Sequence, residues 1–406
     1  MANRSPLHMK TAKPWAGVTA RCTLPEDSSD IGQPGTFPRS VIAAGYTPLD
    51  VVLHGEHVRH SAGGTAGNVA AILAFLGWES AVVGEVGSDP AGSALRADLE
   101  RSGVSTVHLL QTTGSTTRVV HKTGANGHSY HFSCPSCGVR FPRNRRLSTT
   151  NAERLAELLD PPGVFFFDRA NPGTVRLAEK LADRGVLIVF EPASGIKAAY
   201  ALKAFHLAHI LKFSTDSGIN LHGALGIGLG RRDQIQISTS GRRGAQYRVG
   251  DSRWRTSPAF EYPTVDEAGA GDWTTACFLH ALTQNTQAQN NPTVENVGDA
   301  LTWAQAVAAV SCGFTGARGL AHARSCETVL QSAQQLVEPA TALVIPTTNT
   351  TESAACSTNP YRIKNDELSL LRAYTRDVCS TCLEPTTSAD RSTAVISWDN
   401  SIPMAA

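Results

Sequence analysis

Between Val164 and Thr239 four short apolar runs, VFFFD, VLIVFE, HILKFS and QIQIST, recur at intervals of a little over twenty residues. Each has the length of a strand and is rich in β-branched or aromatic residues. The stretch after the first run, TVRLAEKLADRG at Thr174 to Gly185, puts Leu177, Ala178, Leu181 and Ala182 on one helical stripe and stops on glycine. Strand, helix, strand, helix is the pattern of an α/β protein, and it predicts a parallel sheet with helices on its faces.

The rest of the chain sets bounds on that core. With 406 residues, 41% of them hydrophobic, it has the material for a large α/β domain. Lys plus Arg number 36 and Asp plus Glu 35. Such a balance provides no long-range field, so neither nucleic acid nor an anionic membrane is expected as partner. No run of about 18 apolar residues is present and the N-terminus lacks the apolar core of a secretory signal, so the expected address is the cytoplasm. The first residues carry Arg4, Lys10, Lys13 and Arg21 with no acid before Glu26, a faint likeness to a transit peptide. Residues 1–39 are read as a disordered leader, 40–336 as the catalytic core, and 337–406 as a low-complexity tail rich in Thr, Ser, Pro and Ala. Nine cysteines, odd in number and dispersed, read as reduced thiols rather than a disulfide framework. From Thr116 to Phe132, TTRVVH and HSYHF flank the turn-rich GANG. That layout predicts a β-hairpin of the kind that forms lids on α/β enzymes.

Two glycine-bearing segments carry the chemistry. In TVDEAGAGDWTTACFLHAL, Thr264 to Leu282, the turn Gly269, Ala270, Gly271 opens straight into an apolar helix. The first amides of a helix have no internal partner and lie at the positive end of its dipole, and glycine lets a phosphate approach the backbone. Asp272, in the first turn, would repel a phosphate but suits a base that holds an attacking hydroxyl. In the second segment, Ser61 to Val104, Gly63 and Gly64 lead into a helix with Val69, Ile72, Leu73 and Leu76 on one side. Asn68, at its start, offers both donor and acceptor to a sugar hydroxyl. Taken singly, each segment also reads as a tight turn before a helix, and a dinucleotide fold is excluded because the G-x-G-x-x-G spacing is absent.

Together the two segments resemble the PfkB-type carbohydrate kinases of the ribokinase-like superfamily. The first family signature is met by Gly63, Gly64, Asn68, Gly77, Gly84, Gly87, Asp89 and Gly92, and the second, D-x-x-GAGD, by Asp266 through Asp272. The resemblance runs from about Ser40 to Leu336 and takes in an opening strand VIAAGYTPLDVV, a T-x-G-x-x-G at Thr239 to Gly244, and Gly316 with Ala317. It implies a doubly wound, mostly parallel α/β sheet flanked by helices, with a small β lid made from about 46–60 and 116–141. It implies a kinase that uses ATP and Mg²⁺ on a small sugar, sugar acid or nucleoside. By position, Asp272 matches the base, Gly269, Ala270 and Gly271 the anion hole, and Asp50, Gly63, Gly64 and Asn68 the acceptor site. Lys212, Ser214, Thr239, Gly241 and Gly244 match the nucleotide side, and Asp266 a position near a monovalent cation in some relatives. Lid strands in the family pair between subunits, which implies a homodimer.

The chain departs from the family at three points. Ser214 and Ser217 stand where N-x-x-E organises Mg²⁺ in relatives, with Asp216 as the nearest carboxylate. Glu267 replaces a small hydroxyl residue in the second signature, which bears on the monovalent cation. Trp273, Thr274 and Cys277 replace the aromatic-then-glycine pattern after the base, which implies repacking on the nucleotide side. These departures motivate an alternative reading, a catalytically silent ligand-binding regulator. Separately, Cys134 and Cys137 in CPSCG have the form of a zinc knuckle, which would need His128 and His131 or Cys379 and Cys382 to complete four ligands; free thiols are the other reading.

Overall fold

The computed structural model describes residues 38–54, 57–124, 127–134, 137–143, 145–193, 196–215, 231, 233–284 and 292–338. Most of the expected leader and of the expected tail, with Asp216, Ser217, Cys379 and Cys382, lie outside these, as do the side chains of 53–59 and 122–129.

The four apolar runs form β9 (Val164–Phe167), β10 (Leu187–Phe190), β11 (Ile210–Ser214) and β12 (Ile235–Thr239). They lie side by side in chain order and all parallel. The sheet continues past β9 through β1 (Ser40–Ala44) and β4 (Glu79–Gly87), both parallel to it, to β5 (Val104–Ser105), with β6 (Leu109–Thr112) also on β4. At the other edge β13 (Ala245–Val249) and β14 (Arg255–Ser257) add antiparallel. Helices cover both faces. Along β9, Val164 and Phe166 enter one apolar cluster while Phe165 and Phe167 enter the other. An unbroken apolar run is what a strand buried on both faces requires.

One face is covered by α1 (Gly64–Phe75), α2 (Pro90–Arg101), α6 (Ala270–Gln284), α7 (Val294–Ser311), the short α8 (Gly319–Ala323) and α9 (Cys326–Val337). The opposite face carries α3 (Thr149–Leu158), α4 (Pro172–Ala182) and α5 (Ala198–Leu207). Helix α1 is buried almost all round, Ala66 through Leu73, because it packs on both the sheet and α6. Its composition allows this: Asn68 is its one side chain with charge-bearing or amide character.

A second, four-stranded sheet has the order β3-β2-β7-β8, with β2 (Leu49–His54), β3 (His57–Ala62), β7 (Arg118–Gly124) and β8 (Gly127–His131). The stretch VIAAGYTPLDVV, expected as one opening strand, is split between the two sheets: it breaks at Gly45 to Pro48, so that β1 joins the large sheet and β2 the small one. The hairpin expected at 116–132 is present, with Gly124 opposite Gly127. Asp89 of the first signature fastens the small sheet down. It caps α2 through Gly92 N, accepts from Thr116 N at 3.0 Å, and pairs with the buried Arg118 of β7 at 2.6 Å.

Candidate active site

The parallel register fixes where the site lies. Phe167 pairs with Phe190, and Phe190 with Leu211, so the next residues along, Asp168, Glu191 and Lys212, fall in one row across β9, β10 and β11. Alternation then decides their side. Phe167, Phe190 and Leu211 all point into the cluster under α3, α4 and α5, so their successors face α1 and α6. Three charged side chains thus converge on the N-terminus of α6 at the carboxyl ends of parallel strands, where α/β sheets bind ligands.

Helix α6 starts at Ala270. Before it, Gly269 has φ +80°, and a Cβ there would stand 2.5 Å from the Cα of Ala317, so only glycine fits. Gly271 is exposed, and a methyl on it would lie 3.8 Å from Lys212 Nζ. The ammonium of this otherwise buried lysine therefore stands beside the first turn of α6. Glu191 holds it: Oε1 accepts from Lys212 Nζ at 2.6 Å, and Oε2 accepts from Thr275 Oγ1 of α6 at 2.7 Å.

Asp272 is reached from the other side by Asn68 of α1, whose Nδ2 donates to Oδ2 at 2.7 Å. Withdrawal from water pushes the Asp272 carboxyl up to about 7; Glu191 adds to the rise, while the Asn68 bond and Lys212 oppose it. Asp168 is buried, and desolvation raises it to about 6 against the pull of Arg169. Its Oδ1 accepts from Tyr46 N at 2.8 Å, whereas Oδ2 has no hydrogen-bond donor among the described residues and stands 4.0 Å from Arg169 Nε. The guanidinium of Arg169 lies 4.9 Å from the centre of the Tyr46 ring.

Asp50 sits on β2 of the small sheet, and its carboxylate lies against Gly63, where a Cβ would come within 1.8 Å of Oδ2. His121 Nε2 of β7 is 3.3 Å from Asp50 Oδ1. Gly63 caps α1, Gly64 begins it and Asn68 lies in it, so the acceptor-side residues named from sequence come from the start of α1 and, for Asp50, from the strand against it.

The loop that the sequence reading assigns to the nucleotide follows β12. Thr239 ends the strand, Gly241 to Arg243 make a short turn, and Gly244 begins the way back along β13. Ser214 closes β11 opposite Thr239. Arg242 of this turn pairs with Glu267 at 2.6 Å, both well exposed, so Glu267 links this loop to the segment that leads into the Gly269–Gly271 turn. Asp266 is turned the other way: Oδ1 accepts from Ala268 N and Oδ2 from Gly316 N at 2.7 Å. Trp273 is fully buried, donating from Nε1 to Ala317 O at 2.9 Å with Phe75 edge-on.

Cys134 and Cys137 sit in a tight turn closed by Gly138 N to Cys134 O, with Cys134 buried and Cys137 exposed. Among the described residues no three His, Cys, Asp or Glu side chains group as a metal cage, and no helix is long and apolar enough to cross a membrane. Sequence reasoning missed Asp168, Arg169, Glu191 and His121. Asp168 and Glu191 are each the first charged residue after an apolar strand, a signal that only the register of the sheet turns into a site.

Residues 39–138 match the family described as pfkB family carbohydrate kinase. The chain is 26% identical over 309 residues to a protein from Halopiger xanaduensis named ATP-dependent ribose-1-phosphate kinase, covering 68% of this chain and 93% of that one. Among solved structures it is similar to an ATP-bound fructokinase from Xylella fastidiosa, at 19% identity, TM-score 0.60, 74% of this chain and 99% of that one. It is likewise similar to aminoimidazole riboside kinase from Salmonella enterica, at 20% identity, TM-score 0.56, 72% and 99%. The fold is ribokinase-like.

Proposed function

We propose that the chain is a carbohydrate kinase of the pfkB type, as the match over residues 39–138 supports, and that it moves the terminal phosphate of ATP onto a hydroxyl of a small sugar, sugar acid or nucleoside, with Asp272 as the base. The observation that carries this reading is the meeting of Asn68, Asp272 and Lys212 at the N-terminus of α6. A carboxylate, a buried ammonium and an open helix start supply what phosphoryl transfer asks of a protein, namely positioning and charge neutralisation.

The residues present suit a nucleotide: first-turn amides of α6 and Lys212 for the phosphates, and Thr239, Ser214, Gly241 and Gly244 as the adjoining wall. Mg²⁺ is held in such sites largely by phosphate and water with one or two carboxylates. Glu191 is the described carboxylate placed to share that work, and when bound the ion would neutralise charge on the transferring group. To the acceptor side this reading assigns Asp50, which lies against Gly63, together with Asn68 and Asp168, both of which act on Asp272. Arg169 adds a cation there, suiting an acceptor that already bears a phosphate or carboxylate. The same reading has two copies pairing through the small sheet, near the exposed Tyr130 and Phe132, which light scattering would check.

The test is ADP release from ATP and Mg²⁺ with a panel of ribose, ribose 1-phosphate, fructose, sugar acids and nucleosides, beside Asp272→Asn. Turnover with one acceptor, lost in the variant, is the expected result. Nucleotide binding with no acceptor consumed would instead favour a ligand-binding regulator.

A further inference from the structure

Arg318 is buried, yet it lies outside the site, at the start of α8. Its guanidinium joins three points: Nη1 donates to Ser102 Oγ at 2.9 Å, and Nη2 to Ala62 O at 2.8 Å and to Asp98 Oδ2. Asp98, from α2, accepts at the same oxygen from Ala62 N at 2.8 Å. Ala62 is thus gripped at both its amide and its carbonyl. It is the last residue of β3, and the next two are Gly63, against Asp50, and Gly64, which begins the helix carrying Asn68.

The two residues before Arg318 touch the other half of the site. Gly316 N donates to Asp266 Oδ2, and Ala317 lies against Gly269 while its carbonyl accepts from Trp273 Nε1. Three consecutive residues therefore bear on the anion-hole turn at one end and on the acceptor hinge at the other. Burial would raise the Asp98 carboxyl, but Arg318 holds it below its ordinary value, so the pair stays charged. A buried ion pair whose guanidinium is also held by Ser102 Oγ and Ala62 O has few alternative geometries, and a shift at one end is passed on as a rigid displacement rather than absorbed.

We propose that Arg318 is a positioning residue coupling the two halves of the site, so that filling the anion hole with a nucleotide phosphate tightens the Ala62–Gly64 hinge. This rests on the kinase reading. Coupling between sites is a free energy and must be measured as one.

The Ala62 amide is the reporter, since it donates to the carboxylate that Arg318 holds. Hydrogen exchange would be followed on the full chain with and without a non-hydrolysable ATP analogue and Mg²⁺, calorimetry on the same samples recording occupancy. In the wild type the analogue should slow exchange at 266–274 and also at 60–64, the latter by about tenfold, within the usual range of such couplings. Arg318→Lys, which keeps the charge but loses the fork, should retain the first response and lose most of the second. Should that variant fold poorly, the double change Asp98→Asn with Arg318→Met removes both charges and should behave the same way. A response at 60–64 that survives in the variants, or that is missing in a nucleotide-bound wild type, overturns the coupling alone. If calorimetry shows no nucleotide binding, the kinase reading falls and the coupling falls with it.

Discussion

Asn68 donates to the carboxylate of Asp272 at 2.7 Å across 204 residues of sequence, joining the two glycine-led helices at their N-terminal ends. The contact restrains the carboxylate without neutralising it, since an amide donor leaves the charge in place. Asp272→Asn should therefore lower kcat by about 10²- to 10⁴-fold while changing KM little, as expected for a lost base. Steady-state kinetics with the acceptor that the panel selects would check this. A fall in kcat below about tenfold would remove Asp272 from the role.

The pH dependence follows from the same group. With its carboxyl pushed up to about 7, Asp272 is half protonated near neutrality. The profile of kcat/KM should rise with pH and level off above about 7, because only the ionised form accepts a proton. Removing the Asn68 donor, which opposes the rise, should move the inflection to higher pH. An Asn68→Ala profile that keeps its midpoint would argue against the contact.

Stability carries the opposite sign. The folded state keeps a proton on Asp272 that the unfolded chain loses near its ordinary value of 3.8, so stability falls as pH rises from there through about 7. Asp272→Asn removes that loss. The variant should melt a few degrees above wild type at pH 8, with the gain vanishing toward pH 4. Scanning calorimetry across the window reads the difference directly.

Lys212 and Glu191 are predicted to act as a unit. Lys212→Met removes the ammonium beside Gly271 and should cut kcat by about 10²-fold, the scale for losing one preorganised donor at a developing charge. Glu191→Gln keeps the shape but weakens the hold on Lys212 and removes a repulsion from Asp272. Its kcat/KM inflection should move to lower pH, a shift that a merely structural role would not produce.

At Glu267 the expected effect is small. Its pair with Arg242 is exposed on both sides, and such pairs contribute about 0–1 kcal/mol. Glu267→Thr should change nucleotide KM by less than about fivefold. A larger change, or a new dependence on potassium, would give this carboxylate a direct part in the site.

The large sheet was legible because its strands are buried on both faces: VFFF cannot be a surface strand, and its repeats at even spacing left one arrangement. Asp272, the glycine turn and Asn68 were legible because their spacing is local. Asp168 and Glu191 were not, since each gains meaning only from the register that sets it beside Lys212. The break at Gly45 to Pro48 was hidden for a different reason. Both halves of that stretch are strand-like, and nothing local says that they belong to different sheets. Arg318 was invisible, because an arginine near a late glycine gives no hint that it will be buried against α2.

The row formed by residues 168, 191 and 212 has a practical meaning for how such a protein could be altered. Asp168 and Glu191 follow the last core residue of their strands, and Lys212 lies between Leu211 and Phe213 but faces away from both, so a change of charge or length there is made on the side opposite the phenylalanine layer. These positions work like sockets on a fixed board: the board sets spacing and direction, and the side chain plugged in decides which molecule is read.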